Sequence, residues 1–521
     1  MRMNLIFDAW IPIRRKNGEE ARIAPWEVTA SHSDDPVVGL AAPRPDFNGA
    51  LIQFLIGLFQ ITCAPDSPRA WRQWLHNPPA AAELQAKFEP IRYAFELDGE
   101  GPRFMQDRKL GVEGVKEATP LGALLIDVPG ENTIQRNTDH FVKRGVVEKL
   151  CSACTATALF SLQTNAPSGG QGHRTGLRGG GPLTTVILGD VLWQTIWHNI
   201  LERATFLTHS GDPTKAEPKD RFPWLASTRT SEKGSATERT TALDVHPDQN
   251  FWAMPRRIFL LNERAMPSEG CDICGTAEAR LYGQYLTKNY GVNYEGPWLH
   301  PLSPYYLGKD GQPNPVHPQP GGIGYRHWLG LVENNADNTR RIARVVEQYR
   351  RLQRQDGRLW AFGYDMENMK ARCWYDTEMP IIFASEEIEV EYKAQIDIMI
   401  QISQQVALEL RKQVKNALFG PHAPARGDLT YLDSRFWSET EPTFYTLLGR
   451  IRDALNASSD STSLLREWYA TLTSTARRIF DDASQTGDFN AADPRRIATA
   501  WNDLNKALAR RKLRELLGFA A

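Results

Sequence analysis

The 521-residue sequence contains no long uninterrupted hydrophobic run. Its longest apolar stretch, residues 49–61, is shorter than the roughly 20 residues that a membrane-spanning helix needs, and it carries Gln53 and Gln60. We therefore expect this stretch to form a buried helix. Residues 1–20 also lack the pattern of a signal peptide, because proline and charged side chains follow the first apolar residues almost at once. Together these absences predict a cytoplasmic protein.

Net charge is also nearly absent, because 61 Lys and Arg residues are balanced by 62 Asp and Glu residues, which leaves a formal charge of −1. Nucleic-acid binding depends on Lys and Arg beside phosphates, so this sum alone does not favour a nucleic-acid-binding protein. A balanced sum can still hide basic patches, and residues 339–360 are rich in arginine. Four of these side chains fall on roughly one helical face: Arg340, Arg344, Arg351 and Arg358. That face either lines a nucleic-acid path or is simply solvated.

The motifs of the common nucleotide-binding and hydrolytic enzymes are missing. No segment fits the Walker A pattern, and Thr175 breaks the GxGxxG pattern that begins at Gly170. GxSxG and HExxH are absent as well, and Asp139–His140 has the reverse order of a His-Asp pair. The sequence therefore predicts no catalytic activity. The alternative is a stand-alone zinc-containing enzyme whose active site is scattered along the chain, because catalytic triads assemble from distant residues.

Cysteine is scarce, but its spacing is informative. Four of the six cysteines form two CxxC pairs: Cys151 with Cys154, and Cys271 with Cys274. In a reducing compartment such pairs are rarely structural disulfides, and both thiolates of a CxxC turn can bind one tetrahedral ion. Gly275 suits the tight turn after the second pair. A redox site and coincidence are the alternatives, but a thioredoxin-type site needs only one pair. We predict a single structural zinc that joins two distant parts of the chain.

A glycine-rich segment follows the first CxxC pair. Residues 165–185 contain seven glycines together with His173, Arg174 and Arg178. Glycine permits positive φ angles and close approach of the backbone to a ligand. This segment either meets a polyanion through its basic side chains or is a mobile surface loop.

The pattern of apolar residues changes near residue 375. Residues 1–375 alternate short β-like runs with helical segments. Residues 363–380, which cross this point, lack clean periodicity and indicate a loop with a possible short helix. Beyond this point four segments carry apolar residues at three-to-four spacing: 383–419, about 429–456, 461–483 and 492–517. We predict an α+β protein, with a mixed α/β N-terminal domain containing the zinc site (1–375) and a C-terminal four-helix bundle (376–521).

Several motifs, taken in order, carry a family resemblance. They are WIPI, RPDFNGALIQFLIGLFQ (44–60), RFMQD (103–107), CSAC with the glycine segment after it, CDICG, GPWLHPLSPYY (296–306) and GYDMENMKARCW. No single motif is decisive, but their order is specific and runs along the whole chain. The sequence resembles the large subunit of the type I-E CRISPR Cascade complex, the CasA family.

The resemblance implies a non-catalytic subunit of an RNA-guided complex. Members of the family recognise the protospacer-adjacent motif (PAM) in double-stranded DNA, help to open the duplex for R-loop formation and recruit a separate helicase-nuclease. The implied partners are the other Cascade subunits, the CRISPR RNA, the target DNA and that nuclease, with no membrane. In RNA-guided recognition the protein reads the PAM, and base pairing with the RNA reads the rest of the target sequence.

The resemblance also implies particular contacts with DNA. The residues concerned are Gly169, Gly170, Gln171, Lys288, Glu367, Asn368 and Met369. The glycines would enter the narrow minor groove, where a β-carbon would clash, and Lys288 would be the family's lysine finger. Asn368 would be a wedge that starts strand separation, flanked by Glu367 and Met369.

A loop before the first CxxC pair would dock the subunit near the 5′ end of the CRISPR RNA. In this sequence the loop is residues 131–145. The residues proposed for docking or RNA contact are His140, Phe141, Lys143 and Arg144. The alternative is a solvated loop that becomes ordered only on assembly.

Overall fold

A computed structural model describes residues 2–112, 114–115, 117–128, 145–208, 210–264, 270–335, 337–367, 370–420, 429–485 and 493–510. The chain divides into two compact units. Unit 1 comprises Met1–Pro318, Ala343–Leu352 and Phe362–Tyr375; unit 2 comprises Gln319–Ile342, Gln353–Ala361 and Asp376–Ala521. The predicted mixture of α and β structure is confirmed, whereas the predicted domain boundary after residue 375 stays a prediction.

Helices in the described ranges are α1 Pro45–Cys63, α2 Pro68–His76, α3 Ala81–Phe88, α4 Ser152–Asn165, α5 Leu192–His198, α6 Arg203–Leu207, α7 Pro218–Arg221, α8 Gln249–Trp252, α9 Trp328–Leu331, α10 Arg344–Gln353, α11 Glu389–Phe419, α12 Thr430–Asn456, α13 Thr462–Gln485 and α14 Pro494–Leu508. Strands are β1 Ile11–Arg15, β2 Glu20–Ile23, β3 Val37–Leu40, β4 Thr119–Pro120, β5 Thr184–Leu188, β6 Arg257–Arg264, β7 Arg280–Lys288, β8 Tyr305–Leu307, β9 Pro313–Pro315, β10 Arg340–Arg341, β11 Gly357–Glu367 and β12 Lys370–Ile381.

Unit 1 is built around helix α1, which is apolar on nearly every side and almost wholly buried. The Phe54 ring makes edge-on contacts, at centroid distances of 5.3 to 6.1 Å, with Trp10, Phe95, Phe104, Phe160 and Trp252. Gln60 is satisfied by two hydrogen bonds with the backbone of Leu201, at 3.0 and 2.7 Å. The helix is long and apolar enough to cross a membrane, but 83% of its most apolar window is buried in the protein. The prediction of a buried core helix is confirmed.

Small sheets surround this helix rather than one large sheet. The strand orders are β2-β1-β3, β4-β7-β6 and β12-β11-β5. Strands β6 and β7 form an antiparallel pair, with Arg257 opposite Lys288 and Arg264 opposite Arg280. This pairing delivers the end of β7, and with it Lys288, to one edge of its sheet.

The segment predicted as a loop with a possible short helix, residues 363–380, is instead part of a β-hairpin, so that prediction is wrong. Strands β11 and β12 are separated by two residues. Aromatic side chains of these strands pack against helix α1. The Trp374 ring lies so close to Gly49 that a Cβ there would be 2.7 Å from it, and Trp374 also stacks on Phe362. This packing stabilises the strands, and local sequence periodicity could not reveal it.

Unit 2 is mainly helical, and one helix occupies each of the four segments that were predicted to be helical. Helix α11 contacts α12, α13 and α14, and α13 contacts both α12 and α14. Tyr325 packs between these helices, stacking on Phe444 at 4.3 Å, contacting the edge of Trp468 and hydrogen-bonding Thr440 at 2.9 Å. Burial of these rings supplies the hydrophobic stabilisation of the unit.

Candidate metal centre and glycine loop

The two CxxC pairs meet in unit 1. The Sγ atoms of Cys151, Cys154, Cys271 and Cys274 all lie within 4.8 Å of one another, and those of Cys151 and Cys274 are 3.6 Å apart. A tetrahedral zinc with Zn–S bonds of about 2.3 Å separates its sulfur ligands by about 3.8 Å. Four thiols at these distances fit a tetrahedral metal ion.

Local hydrogen bonds shape each cysteine pair. In the second pair, Gly275 N donates to Cys271 O at 2.8 Å, and Cys271 N donates to Thr276 O at 3.0 Å. Gly275 has a φ of +71°, a conformation that favours glycine, as its position after the pair predicted. In the first pair, Cys151 stands at the N-terminus of α4, and its Sγ accepts a hydrogen bond from Cys154 N at 3.5 Å.

Further hydrogen bonds join the two pairs to each other without any metal. The Asp272 carboxylate accepts from the backbone N–H groups of Glu148 and Lys149, each at 2.7 Å. Glu278 accepts from both the N–H and the hydroxyl of Ser152, at 3.0 and 2.8 Å. The thiols are therefore preorganised, which lowers the entropy cost of metal binding.

The electrostatics of the cysteines also favour a cation. Hydrogen bonds with Cys151 and Cys271, together with burial, raise the pKa of the Cys154 thiol. The hydrogen bond with Cys154 lowers the pKa of Cys151, but the bond with Cys271 and burial outweigh it and raise the pKa to about 12. Four thiolates this close together, three of them buried, repel one another, so full deprotonation needs a bound cation. The chemistry of this donor set shows that the four cysteines could hold a metal ion.

Arg22, on strand β2, donates hydrogen bonds to the second cysteine pair and its neighbour Thr276. Its Nη2 donates to Cys274 Sγ at 3.4 Å and to Thr276 Oγ1 at 2.7 Å. Burial lowers the pKa of Arg22, but the negative charges of Cys151 and Cys274 outweigh burial and raise it. The guanidinium is thus a charged hydrogen-bond donor to the sulfur ligands.

Helix α4 leads from the metal centre into the glycine loop, which we define as residues 166–182. Its tip, residues 168–172, is largely exposed. His173 N donates to Gly170 O at 3.2 Å, and Gly172 at the third position of this turn has a φ of +77°, as a type II turn requires. Gly170 has a φ of +84° and no atom within 4 Å of where a Cβ would lie, so its backbone conformation, not its space, favours glycine.

The loop tip lies against the turn that follows β7. Tyr290 N donates to Gly172 O at 2.7 Å, and Asn289 Nδ2 donates to Gln171 O at 2.8 Å. A Cβ on Gly172 would lie 2.9 Å from Asn289. Lys288, which is exposed at the end of β7, therefore lies beside the glycine loop tip, although 117 residues separate it from Gln171.

Arg178 does not face solvent, contrary to the suggestion that it meets a polyanion. Its side chain is 3% exposed and donates to Gln53 Oε1 at 2.6 Å and to the hydroxyls of Thr184 and Ser303, each at 3.0 Å. Burial lowers its pKa to about 10. Arg178 anchors the glycine loop to α1 and β5, so the loop is built into the core rather than attached to the surface.

The two other basic side chains of the loop are also held by the protein. Arg174 donates to the hydroxyl and the carbonyl of Ser231, at 2.8 and 3.0 Å. His173 is joined to Arg256, which also donates to Pro167 O. Arg256 thereby bonds to residues on both sides of the loop tip.

The stem of the β11–β12 hairpin borders the far end of the glycine loop. A Cβ on Gly181 would lie 2.7 Å from Tyr364 O and 3.0 Å from Met366 Cε. Gly181 itself has a φ of +59°. The hairpin and the glycine loop are therefore packed together within unit 1.

Arg372 joins the two strands near the end of β11 and the start of β12. From β12 it forms ion pairs with Asp365 and Glu367 of β11, each at 2.7 Å, so Glu367 is engaged in an ion pair at the protein surface. The predicted wedge residues Asn368 and Met369 lie outside the described residues, between these two strands.

The residues predicted for docking or RNA contact, His140, Phe141, Lys143 and Arg144, also lie outside the described residues. The arginines predicted to share one helical face do not do so. Arg340 lies on β10, Arg344 and Arg351 on α10, and Arg358 on β11. Three of them pair with carboxylates: Arg344 with Glu347 at 2.8 Å, Arg351 with Glu202 at 2.5 Å and Arg358 with Glu378 at 3.5 Å.

Sequence reasoning missed three arginines that shape this region: Arg22, Arg256 and Arg372. Arg22 is 252 residues from Cys274 and Arg256 is 83 residues from His173, so no local spacing relates the partners. Only the closeness in sequence of Asp365, Glu367 and Arg372 carried a local signal, namely that of a cross-strand ion pair.

Solved structures of CRISPR-associated proteins share this fold over almost their whole length. Cse1 of Thermobifida fusca matches with a TM-score of 0.69 and 15% identity, covering 100% of this chain and 99% of the other. CasA (Cse1) of Thermus thermophilus gives a TM-score of 0.65 and 16% identity, with 99% of each chain covered. A chain from a CRISPR RNA-guided surveillance complex gives 0.68 and 15% identity, covering 98% of this chain and 100% of that one. The fold is that of a class of CRISPR-associated proteins.

The match to a sequence-family model covers a shorter part of the chain than the structural matches do. The family model for CRISPR-associated protein Cse1 matches residues 4–479. The chain therefore belongs to the Cse1 family. Because the Thermus thermophilus structure carries both names, CasA and Cse1, the resemblance to the CasA family is confirmed.

Proposed function

We propose that this chain is the non-catalytic large subunit of a type I-E Cascade surveillance complex, and that it recognises the PAM in double-stranded DNA. Family membership and the fold shared with a chain of a CRISPR RNA-guided surveillance complex support the assembly with other Cascade subunits and CRISPR RNA. The observation that carries PAM recognition is the exposed glycine loop tip beside Lys288. An exposed glycine backbone next to a cation suits a minor groove.

In this proposal the glycine loop and the hairpin have separate tasks. Gly169, Gly170 and Gln171 approach the PAM backbone-first, and Lys288 reaches the base edges of the groove. Asn368, with Met369 and Glu367 beside it, holds the first opened base step. Unstacking one step costs on the order of a few kcal/mol, so a side chain that fills the gap favours R-loop formation.

The metal and the helical unit have supporting roles. Zinc is the ion that best suits four thiolates in tetrahedral positions, and when bound it would fix the start of helix α4 relative to β7. Helices α11 to α14 would form a four-helix bundle, which is supported by the contacts of α11 with the other three. Recruitment of a separate helicase-nuclease and a cytoplasmic location belong to the same proposal.

The experiment is a gel-shift of the reconstituted complex on duplexes with randomised PAM positions. Gly170→Val places a β-branched residue at a φ of +84°, and Lys288→Ala removes the cation beside the tip. Each variant should weaken PAM-dependent duplex binding about tenfold, or about 1.4 kcal/mol. Binding to an already single-stranded target should be unchanged, since that substrate needs no PAM. An equal loss on both substrates would indicate misfolding, and full retention of PAM preference would refute the assigned role.

A further inference from the structure

The glycine loop tip presents backbone donors, while its carbonyls face the protein. Gly170 O, Gln171 O and Gly172 O accept from His173, Asn289 and Tyr290 respectively. Within the part of the chain that the structure describes, the N–H groups of residues 168–172 have no acceptor. Successive backbone N–H groups in a turn of this kind form a concavity that binds anions.

A cation without a counter-charge lies directly behind these donors. Arg256 is mostly buried, and its partners His173 Nδ1 and Pro167 O are both neutral acceptors. Its Nε is buried without a hydrogen-bond partner, and no carboxylate pairs with it among the described residues. Pro167 and His173 flank the tip on either side, so the charge is held close to the free N–H groups.

Arg178 adds a second uncompensated charge beneath the same loop. Its partners, Gln53 Oε1 and the hydroxyls of Thr184 and Ser303, are all neutral. Buried charges are ordinarily paired, because an isolated one costs several kcal/mol. Both guanidinium groups therefore add positive potential to the glycine loop, with Arg256 next to its tip, and an anionic ligand there would be favoured.

We propose that the loop tip, residues 168–172, binds one backbone phosphate of the target duplex, with the free N–H groups as donors and Arg256 as the compensating charge. The inference rests on the proposed function, because it takes the loop to lie against DNA. A phosphodiester is the anion that duplex DNA offers beside the groove. This contact fixes the position of the loop independently of sequence, which leaves discrimination of the PAM base edges to Lys288.

The test places a single neutral methylphosphonate at successive positions around the PAM and measures binding by the reconstituted complex. One position should weaken binding by the parent about fivefold to tenfold and should lower the salt slope by about 0.9, the value for one phosphate contact. With the Arg256→Met variant, the methylphosphonate at that position should weaken binding little further, because the compensating charge is already gone. Arg174→Met is the matched control: Arg174 belongs to the same loop and also bonds only to neutral groups, those of Ser231, but it does not bond to either side of the tip. It should keep most of the sensitivity.

A second variant keeps the test independent of any folding defect in Arg256→Met. Gln171→Pro removes one N–H donor at the second position of the type II turn, where proline is favoured. It should also abolish most of the sensitivity at that phosphate. The phosphate site is wrong if no single neutral position near the PAM weakens binding by the parent, or if both variants keep the parent's sensitivity. Loss of PAM dependence in the parent itself would instead refute the proposed function.

Discussion

At the scale of single residues, Arg22 connects strand β2 to the cysteine centre. It donates to Cys274 Sγ and Thr276 Oγ1, and it faces a cluster of buried sulfur atoms. Outer hydrogen bonds of this kind orient metal ligands and stabilise their charged form. The N-terminal sheet is thus tied to the centre that begins helix α4.

We therefore expect Arg22→Met to lower the affinity for zinc about 10-fold to 100-fold, the usual effect of losing an outer partner of a metal ligand. Competition with a chromophoric chelator on the purified chain measures this directly. Arg14→Met is the matched control, because Arg14 lies on the neighbouring strand and pairs only with exposed Glu20. Equal affinities for parent and Arg22→Met would contradict the role of Arg22. A parent chain that binds no zinc would refute the proposed metal itself.

At the scale of elements, the hairpin is braced on helix α1. Tyr364 donates to the Asp46 carboxylate at 2.6 Å, and Arg44 pairs with Asp46 at 2.9 Å. Trp374 packs against Gly49 one turn further along α1. These contacts fix the stem of the hairpin on α1, and the proposed wedge role requires a rigid support of this kind.

From this support we expect Asn368→Ala to slow R-loop formation on linear duplex, since the first opened step would lose its stabilising side chain. Stopped-flow or gel assays of R-loop formation measure the rate. A pre-opened bubble beside the PAM should restore the parent rate, because it removes the need for the wedge. A variant that opens linear duplex normally, or that a bubble does not rescue, would show that Asn368 has another role.

In unit 2, Arg496 of helix α14 caps helix α11. Its Nε and Nη2 donate to Ala417 O at 2.8 Å and to Leu418 O at 3.1 Å, where α11 ends. A cation at a helix C-terminus satisfies free carbonyls and interacts well with the helix dipole. Arg496→Ala should lower the free energy of unfolding by about 1–2 kcal/mol. Arg495→Ala, at the exposed neighbouring position, should change it little; equal effects in urea unfolding would contradict the cap.

At the scale of the whole molecule, buried histidines make stability depend on pH. Burial lowers the pKa of His198 to about 4, against the opposing effects of Leu188 and Asp190. Burial, with Arg326 and Arg340, lowers the pKa of His327 to about 3. An unfolded histidine has a pKa near 6.5, so below that pH the unfolded chain takes up protons that the folded chain does not. The fold therefore loses stability as pH falls through 6.5, and the loss continues down to the folded pKa values.

As the pH falls from 7 to 5, each of these two histidines should lower the free energy of unfolding by about 2 kcal/mol. Urea unfolding at both pH values measures the total. His198→Gln should lose about 2 kcal/mol less than the parent over this interval, because glutamine does not titrate. The same pH dependence in the parent and His198→Gln would show that His198 is protonated in the folded state.

The sequence by itself determined those features whose causes are local. The apolar residues of α1, the periodicity of the four C-terminal helices and the CxxC spacing with Gly275 each express the geometry of a short segment. A list of motifs in order was enough to indicate the family. The glycine loop was also evident, because glycine at such density marks unusual backbone conformations.

Only the tertiary structure decided which of these segments meet. The two cysteine pairs come together through hydrogen bonds of Asp272 and Glu278 with residues more than a hundred positions away. Arg178 looked like a surface cation, yet Gln53, Thr184 and Ser303 draw it into the core. Periodicity reports on the face of a single element, whereas burial of a charge depends on neutral acceptors supplied by other elements. For this reason the site's composition was predictable and its electrostatics were not.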